Sequence, residues 1–149
     1  MLFRSDIYGN LGVVLNLLAD KLKDIHTAEE AVKVLKKAIT MSHQYKIKTL
    51  DVGILEMNLG IALETWGKLE KNATILQQSI NANENALAIF TKKDVPQLWA
   101  RTYNSLGMTQ DSLARLLENT TLLQSSIQSY KNALEVWSLE QYPDRKSVV

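Results

Sequence analysis

Residue types that commonly perform catalysis or bind metals are scarce in this chain. It has no cysteine and two histidines, His26 and His43, which would lie about 25 Å apart along one helix and so cannot share a metal ion. The spacing suggests no Ser-His-Asp set. The sequence also contains no glycine-rich phosphate loop, no zinc-binding spacing and no Glu-x-x-His or His-Glu-x-x-His pair. We therefore expect no catalytic residue, no metal site and no cofactor.

The charge and hydropathy patterns argue against two further classes of partner. Lys and Arg number 17 and Asp and Glu number 16, and no basic run is long enough to form a nucleic-acid-binding face. The sequence contains no stretch of about 18 consecutive apolar residues, the length that a membrane-spanning helix needs. The first ten residues lack the features of a secretion signal. We therefore expect a cytoplasmic protein that binds neither nucleic acid nor membrane.

The elements that would position functional residues recur along the chain. The triplet Asn10–Gly12 recurs as Asn58–Gly60 and again as Ser105–Gly107, at offsets of 48 and 47 residues. Other positions keep these offsets: Ala38, Ala86 and Ala133; Val32, Ile80 and Ile127; Ala31, Ser79 and Ser126. Agreement among unrelated anchors indicates an internal repeat with a period of about 47 residues.

Each unit carries two apolar stripes with the three- and four-residue spacing of amphipathic helices. We predict six helices, near residues 5–23, 28–43, 48–69, 73–91, 96–117 and 121–139. Capping or first-turn residues mark four of these starts: Thr27 with Glu30, Asn72, Pro96, and Asn119 or Thr120. Pro143 would lie in the first turn of a further, incomplete unit. The three units span about residues 1–47, 48–95 and 96–142 of a single domain.

The glycine of the repeated triplet falls in the middle of a predicted helix, where glycine costs about 1 kcal/mol relative to alanine. We attribute Gly12, Gly60 and Gly107 to close approach of the partner helix, which carries the recurring small alanine. This pattern is typical of tight helix packing rather than of catalysis.

The repeated unit resembles the tetratricopeptide-repeat family in a long-helix form. Leu-Gly lies in the first helix, and Ser126–Trp137 followed by Tyr142 and Pro143 is similar to the family's second-helix pattern. The resemblance covers nearly the whole chain and is strongest in the third unit. It implies an all-α, right-handed superhelix of three antiparallel hairpins, whose first helices line a concave groove for a partner's peptide or helix.

Mapping the family's groove positions onto this sequence gives five residues in each unit: Asp6, Gly9, Val13, Asn16 and Leu17; Ile54, Met57, Ile61, Glu64 and Thr65; Arg101, Asn104, Met108, Asp111 and Ser112. From these we take nine candidate binding residues: Asn16, Ile54, Met57, Ile61, Glu64, Arg101, Asn104, Met108 and Asp111. Arg101 and Asn104 are one helical turn apart, so both can hold a carboxylate or a peptide backbone. The resemblance therefore implies a scaffold or adaptor that binds a protein or peptide.

An alternative function is structural. The last full helix would carry an uncovered edge, composed of Tyr130, Leu134 and Trp137, although terminal repeats generally need a polar cap. The chain would then be part of a longer array, or associate as a homodimer or end to end. Otherwise, residues 143–149, the start of an incomplete unit, would fold back as a lid.

Overall fold

The computed structural model describes residues 2–45 and 49–138. Within these ranges the chain forms six helices and no strand: α1 (Leu2–Leu22), α2 (Ile25–Gln44), α3 (Thr49–Glu70), α4 (Ala73–Leu87), α5 (Pro96–Leu117) and α6 (Thr120–Val136). The all-α prediction is confirmed, and each helix ends within a few residues of its predicted end. None of these described helices combines the length and the apolar character needed to cross a membrane. Pro143 and the segment 143–149 lie outside the described residues.

Helices that are neighbours in sequence are also neighbours in space. α1 packs on α2, α3 on α4, and α5 on α6, which gives three helical hairpins. α2 also packs on α3, and α4 on α5, so the hairpins follow one another in chain order. The first helices form a row in which α3 touches both α1 and α5. In the described part of the chain, α2, α4 and α6 make no contact with one another.

Each hairpin turns through the same two-residue connection. The first residue of each turn has a positive φ: Lys23 (55°), Lys71 (52°) and Glu118 (52°). The backbone N–H of the second residue donates to the carbonyl oxygen five residues earlier: Asp24 (3.1 Å), Asn72 (3.0 Å) and Asn119 (2.9 Å). This is the Schellman arrangement, in which glycine usually takes the left-handed position. The same turn therefore recurs in every unit without its usual sequence signal.

The second residue of each turn also caps the next helix. The side-chain oxygens of Asn72 and Asn119 accept hydrogen bonds from backbone N–H groups in the first turns of α4 and α6, over 3.2 and 3.1 Å. Both caps were predicted, and Asn119 rather than Thr120 is the cap of α6. Pro96 occupies the start of α5 as predicted.

The predicted start of α2 was wrong. Asp24, not Thr27, is its N-cap, and the Asp24 carboxylate accepts hydrogen bonds from the backbone N–H groups of His26 and Thr27. The Thr27 hydroxyl donates to the same carboxylate. This hydroxyl bond is the main cause that lowers the pKa of Asp24 below its usual value. The helix begins earlier because the turn residue itself supplies the cap.

The repeated glycines do lie where two helices approach closely, but the neighbouring side chain is not the predicted alanine. It is the residue three positions before the alanine: Leu35 over Gly12, Asn83 over Gly60 and Tyr130 over Gly107. A Cβ atom on Gly60 would lie 2.8 Å from Nδ2 of Asn83. The glycine therefore makes room for a larger side chain, while the alanine is buried beside it.

A serine on the second helix binds the carbonyl oxygen of this glycine in two units. The Ser79 hydroxyl donates to Gly60 over 2.6 Å, and the Ser126 hydroxyl donates to Gly107 over 2.8 Å. Oγ of Ser79 also lies 2.9 Å from the hydroxyl oxygen of Thr109 on α5. These buried bonds join the helices of a hairpin and tie the second hairpin to the third.

We expect Gly60→Ala to lower the free energy of unfolding. Overpacking against the buried Asn83 side chain costs about 1–3 kcal/mol, which outweighs a gain of about 1 kcal/mol in helix propensity. In an Asn83→Ser background, where the obstructing amide is gone, the same substitution should instead raise this free energy by about 1 kcal/mol.

Urea unfolding of the four proteins in this double-mutant cycle measures both signs. An effect of Gly60→Ala that is equal in the two backgrounds would contradict the close approach of α3 and α4 at this point.

Candidate functional site

The first helices of the three units share one surface with two adjoining cavities. The cavity between α3 and α5 has a volume of about 130 Å³ and is lined by Ile61, Glu64, Arg101, Asn104, Ser105 and Met108. A second cavity, of about 70 Å³, reaches α1 and is lined by Val13, Asn16, Leu17, Asn58, Ile61 and Arg101. Because Ile61 and Arg101 line both, we treat the two cavities as one site, the first-helix groove.

Arg101 carries an unpaired positive charge in the first-helix groove. Its side chain is exposed, and it makes no hydrogen bond or ion pair with any residue in the described ranges. Asn104, one turn further along α5, donates to the sulfur of Met108 over 3.9 Å. A free guanidinium can bind a carboxylate through two parallel hydrogen bonds. Arg101 therefore offers the groove's strongest recognition group for an anionic side chain.

The two carboxylates predicted for the groove are each paired with a base on their own helix. Glu64 is 6% exposed, and its Oε1 lies 3.1 Å from Nζ of Lys68. Asp111 accepts a hydrogen bond from Nε of Arg115 over 2.8 Å, and this bond raises the pKa of the Arg115 guanidinium. Because both acids have their own bases, the charge of Arg101 is left uncompensated within the described part of the chain.

Asn16 stands in the first unit at the position that Glu64 and Asp111 hold in the other two. Its side chain is 8% exposed, and its Oδ1 atom has no hydrogen-bond partner among the described residues. A buried acceptor without a donor costs about 1–3 kcal/mol. Asn16 therefore lines the smaller cavity while its buried Oδ1 acceptor stays unpaired among the described residues.

Six of the nine residues predicted for the groove line its two cavities: Asn16, Ile61, Glu64, Arg101, Asn104 and Met108. Asp111 lines neither cavity and is bonded to Arg115 instead. Ile54 lines a separate polar cavity of about 290 Å³ that also includes Asp6 and Asp51.

Met57 is a correction to the predicted site. It is 1% exposed and packs in the core with Ala86 and Phe90, so its side chain is not accessible to a ligand. It falls on one of the family's groove positions, the one that Asn104 holds in the third unit. The long apolar side chain of Met57 is instead buried where α3 meets α4.

Two groove residues, Asn58 and Ser105, were not predicted. Each is the first member of the repeated triplet, immediately before Leu-Gly. The first position of that triplet is polar in all three units, which was a usable signal that it faces a polar surface. In the sequence alone, this position serves only as an anchor for the period of the repeat.

The predicted edge on α6 is only partly open. Leu134 is 59% exposed, whereas Tyr130 and Trp137 are half-buried. Tyr130 packs over Gly107. The indole N–H of Trp137 donates to Oε1 of Gln97 over 2.6 Å, which fixes its ring against the start of α5. The exposed large apolar residues of α6 are Leu123, Ile127 and Leu134.

No protein-family model, no curated protein and no solved structure matches the chain.

We expect Asn16→Leu to raise the free energy of unfolding of the ligand-free protein by about 1 kcal/mol, because it removes a buried acceptor that has no donor. Asn104→Leu is the control, since that amide is half-buried and already has a weak partner. It should change stability by no more than about 0.5 kcal/mol. Thermal and urea unfolding measure both variants, and a destabilised Asn16→Leu protein would contradict the unpartnered state of Oδ1.

Proposed function

We propose that this chain is a protein-interaction module of the tetratricopeptide-repeat kind, and that it holds a segment of a partner protein in the first-helix groove. The observation that carries the proposal is Arg101, an exposed arginine with no partner in the described residues, placed where two cavities meet. Its neighbours are amide and apolar side chains, a mixture typical of peptide recognition.

The packing of the helices supports a row of hairpins that is concave on the side of its first helices. The first helices touch in the order α1, α3, α5, whereas the second helices in the described chain do not touch one another. When successive hairpins lie closer together at their first helices than at their second helices, the row curves so that the first helices are on its inner side. The groove would then lie on the inner side of that curve, as the family resemblance implies.

The groove suggests how a partner segment would be held. Arg101 would bind a carboxylate of the partner through two charge-assisted hydrogen bonds. The amides of Asn58 and Asn104 can each donate to and accept from a peptide backbone. Ile61 and Met108 add apolar contact, and the flexible thioether of Met108 adapts to different side chains.

A second candidate function is self-association, and the exposed apolar residues of α6 favour it. Leu123, Ile127 and Leu134 lie on one face of that helix, and each is more than a third exposed. An uncovered apolar face on a terminal unit is where a further helix would pack.

A display library of random peptides, selected on the intact chain, tests the groove. We expect the selected peptides to be enriched in Asp or Glu. Arg101→Glu should weaken their binding at least about tenfold, because charge-assisted hydrogen bonds contribute about 1.5–3 kcal/mol.

Lys131→Glu is the matched control, since it makes the same charge change on an exposed position of α6 away from the groove. Circular dichroism establishes that both variants remain folded. The proposal fails if no peptide is selected, or if Arg101→Glu and Lys131→Glu bind the selected peptides as tightly as the intact chain does.

A further inference from the structure

The first helix carries an uncovered apolar stripe. Ile7, Leu11, Val14 and Leu18 follow the helical spacing of four, three and four residues, so they lie on one face of α1. Their exposures range from 44% at Leu11 to 63% at Ile7. Such a contiguous exposed apolar face is unusual on a protein that remains monomeric in water. We call these four residues the α1 face.

The same face is buried in the other two units, except that Trp66, the counterpart of Leu18 on α3, is half-buried. The residues that correspond to Ile7, Leu11 and Val14 are Leu55, Leu59 and Ala62 on α3, and all three are buried. On α5 the corresponding residues are Thr102, Leu106 and Thr109, which are also buried. The second helix of the preceding unit packs on each of these helices: α2 on α3, and α4 on α5. The α1 face is therefore a site for a second helix that no described helix of this chain occupies.

The last helix carries the complementary half of that contact. Leu123 and Ile127 are 38% and 55% exposed on α6, and with Leu134 they form what we call the α6 face. The residues that correspond to Leu123 and Ile127 on α4 are Leu76 and Ile80, which are 1% and 5% exposed. Leu76 and Ile80 are buried because they pack against α5.

We propose that the α6 face of one chain docks on the α1 face of a second copy, and thereby repeats between chains the contact that α2 makes with α3 and α4 makes with α5. The proposal rests on the second candidate function, and it is independent of the first-helix groove. The chain already forms this contact twice within itself, and it carries one exposed half of the contact at each end of its described part.

The internal contacts predict which residues meet. Leu76 and Ile80 of α4 pack in one cluster with Leu106 and Leu113 of α5. The corresponding residues at the proposed junction are Leu123 and Ile127 of one copy, and Leu11 and Leu18 of the next. On the α6 side, Leu123 and Ile127 are the same residue types as Leu76 and Ile80 of α4. On the α1 side, Leu11 and Leu18 are the same residue type as Leu106 and Leu113 of α5.

A symmetric dimer through two α6 faces is less consistent with the fold. That arrangement would pack a second helix on a second helix, a contact that α2, α4 and α6 do not make anywhere in the described chain. A head-to-tail junction joins two different surfaces, so each added copy leaves both kinds of face free at its ends. The expected products are therefore chains of copies that grow with protein concentration, and not one closed dimer.

Two variants and their mixture test the proposal. The first is Leu11→Glu with Leu18→Glu, which places charge on the α1 face; the second is Leu123→Glu with Ile127→Glu, which does so on the α6 face. Gln124→Glu is the control, because its counterpart Gln77 stays exposed although α4 is covered by α5. All the substituted positions are exposed, and circular dichroism verifies that each variant keeps its helices.

Sedimentation velocity over a wide range of concentration should show species larger than a dimer for the intact chain and for Gln124→Glu. Each double variant alone should be monomeric, and an equal mixture of the two should give a dimer and nothing larger, because only one compatible pair of faces remains. High salt should not dissolve these species, since the contact is apolar.

Three outcomes would overturn the proposal. A monomeric intact chain at every concentration would show that a second copy does not cover these faces. If the α1-face variant still forms a dimer alone, the α6 faces pair with each other. If the mixture stays monomeric although both variants are folded, the two faces do not meet. None of these results bears on peptide binding at Arg101, so the two proposals can fail separately.

Discussion

The packing of each unit's second helix on the next unit's first helix is the contact on which the rest of the structure depends. Val32, Leu35 and Ile39 of α2 share a buried cluster with Leu55 and Leu59 of α3. α4 makes the corresponding contact with α5, with the buried Ser79–Thr109 hydroxyl pair added to it. This packing lines up the hairpins and places α1, α3 and α5 in one row. It also explains why the outermost helices present apolar surface that the inner helices bury.

The first-helix groove is a consequence of that row. Its polar residues come from positions that recur in the units but carry different side chains, so the groove is chemically varied while the packing beneath it is repeated. Glu64 and Asp111 are held by Lys68 and Arg115 on their own helices, which leaves Arg101 as the uncompensated charge. The repeat thus supplies the scaffold, and the differences among its copies supply the recognition chemistry.

Periodicity predicted the helices well because a helix that buries one face must repeat its apolar residues every three or four positions. The caps at Asn72 and Asn119 were predictable because the residue type alone carries the signal. The hairpin turns were not predictable, because Lys71 and Glu118 adopt a left-handed conformation that neither residue type indicates. Met57 was misplaced because a family pattern gives its position on α3 but not the neighbours, Ala86 and Phe90, that bury it in this chain.

The central claim is that the rest of the structure depends on the packing between units. Hydrogen exchange of the monomeric chain, resolved by helix, tests this claim most directly. Repeat proteins gain stability from each neighbouring interface, so helices covered on both sides open less often than those covered on one side. The account predicts the slowest exchange in α3 and α4, and progressively faster exchange toward α1 and α6. Equal protection in all six helices, or the slowest exchange in α1 or α6, would contradict it.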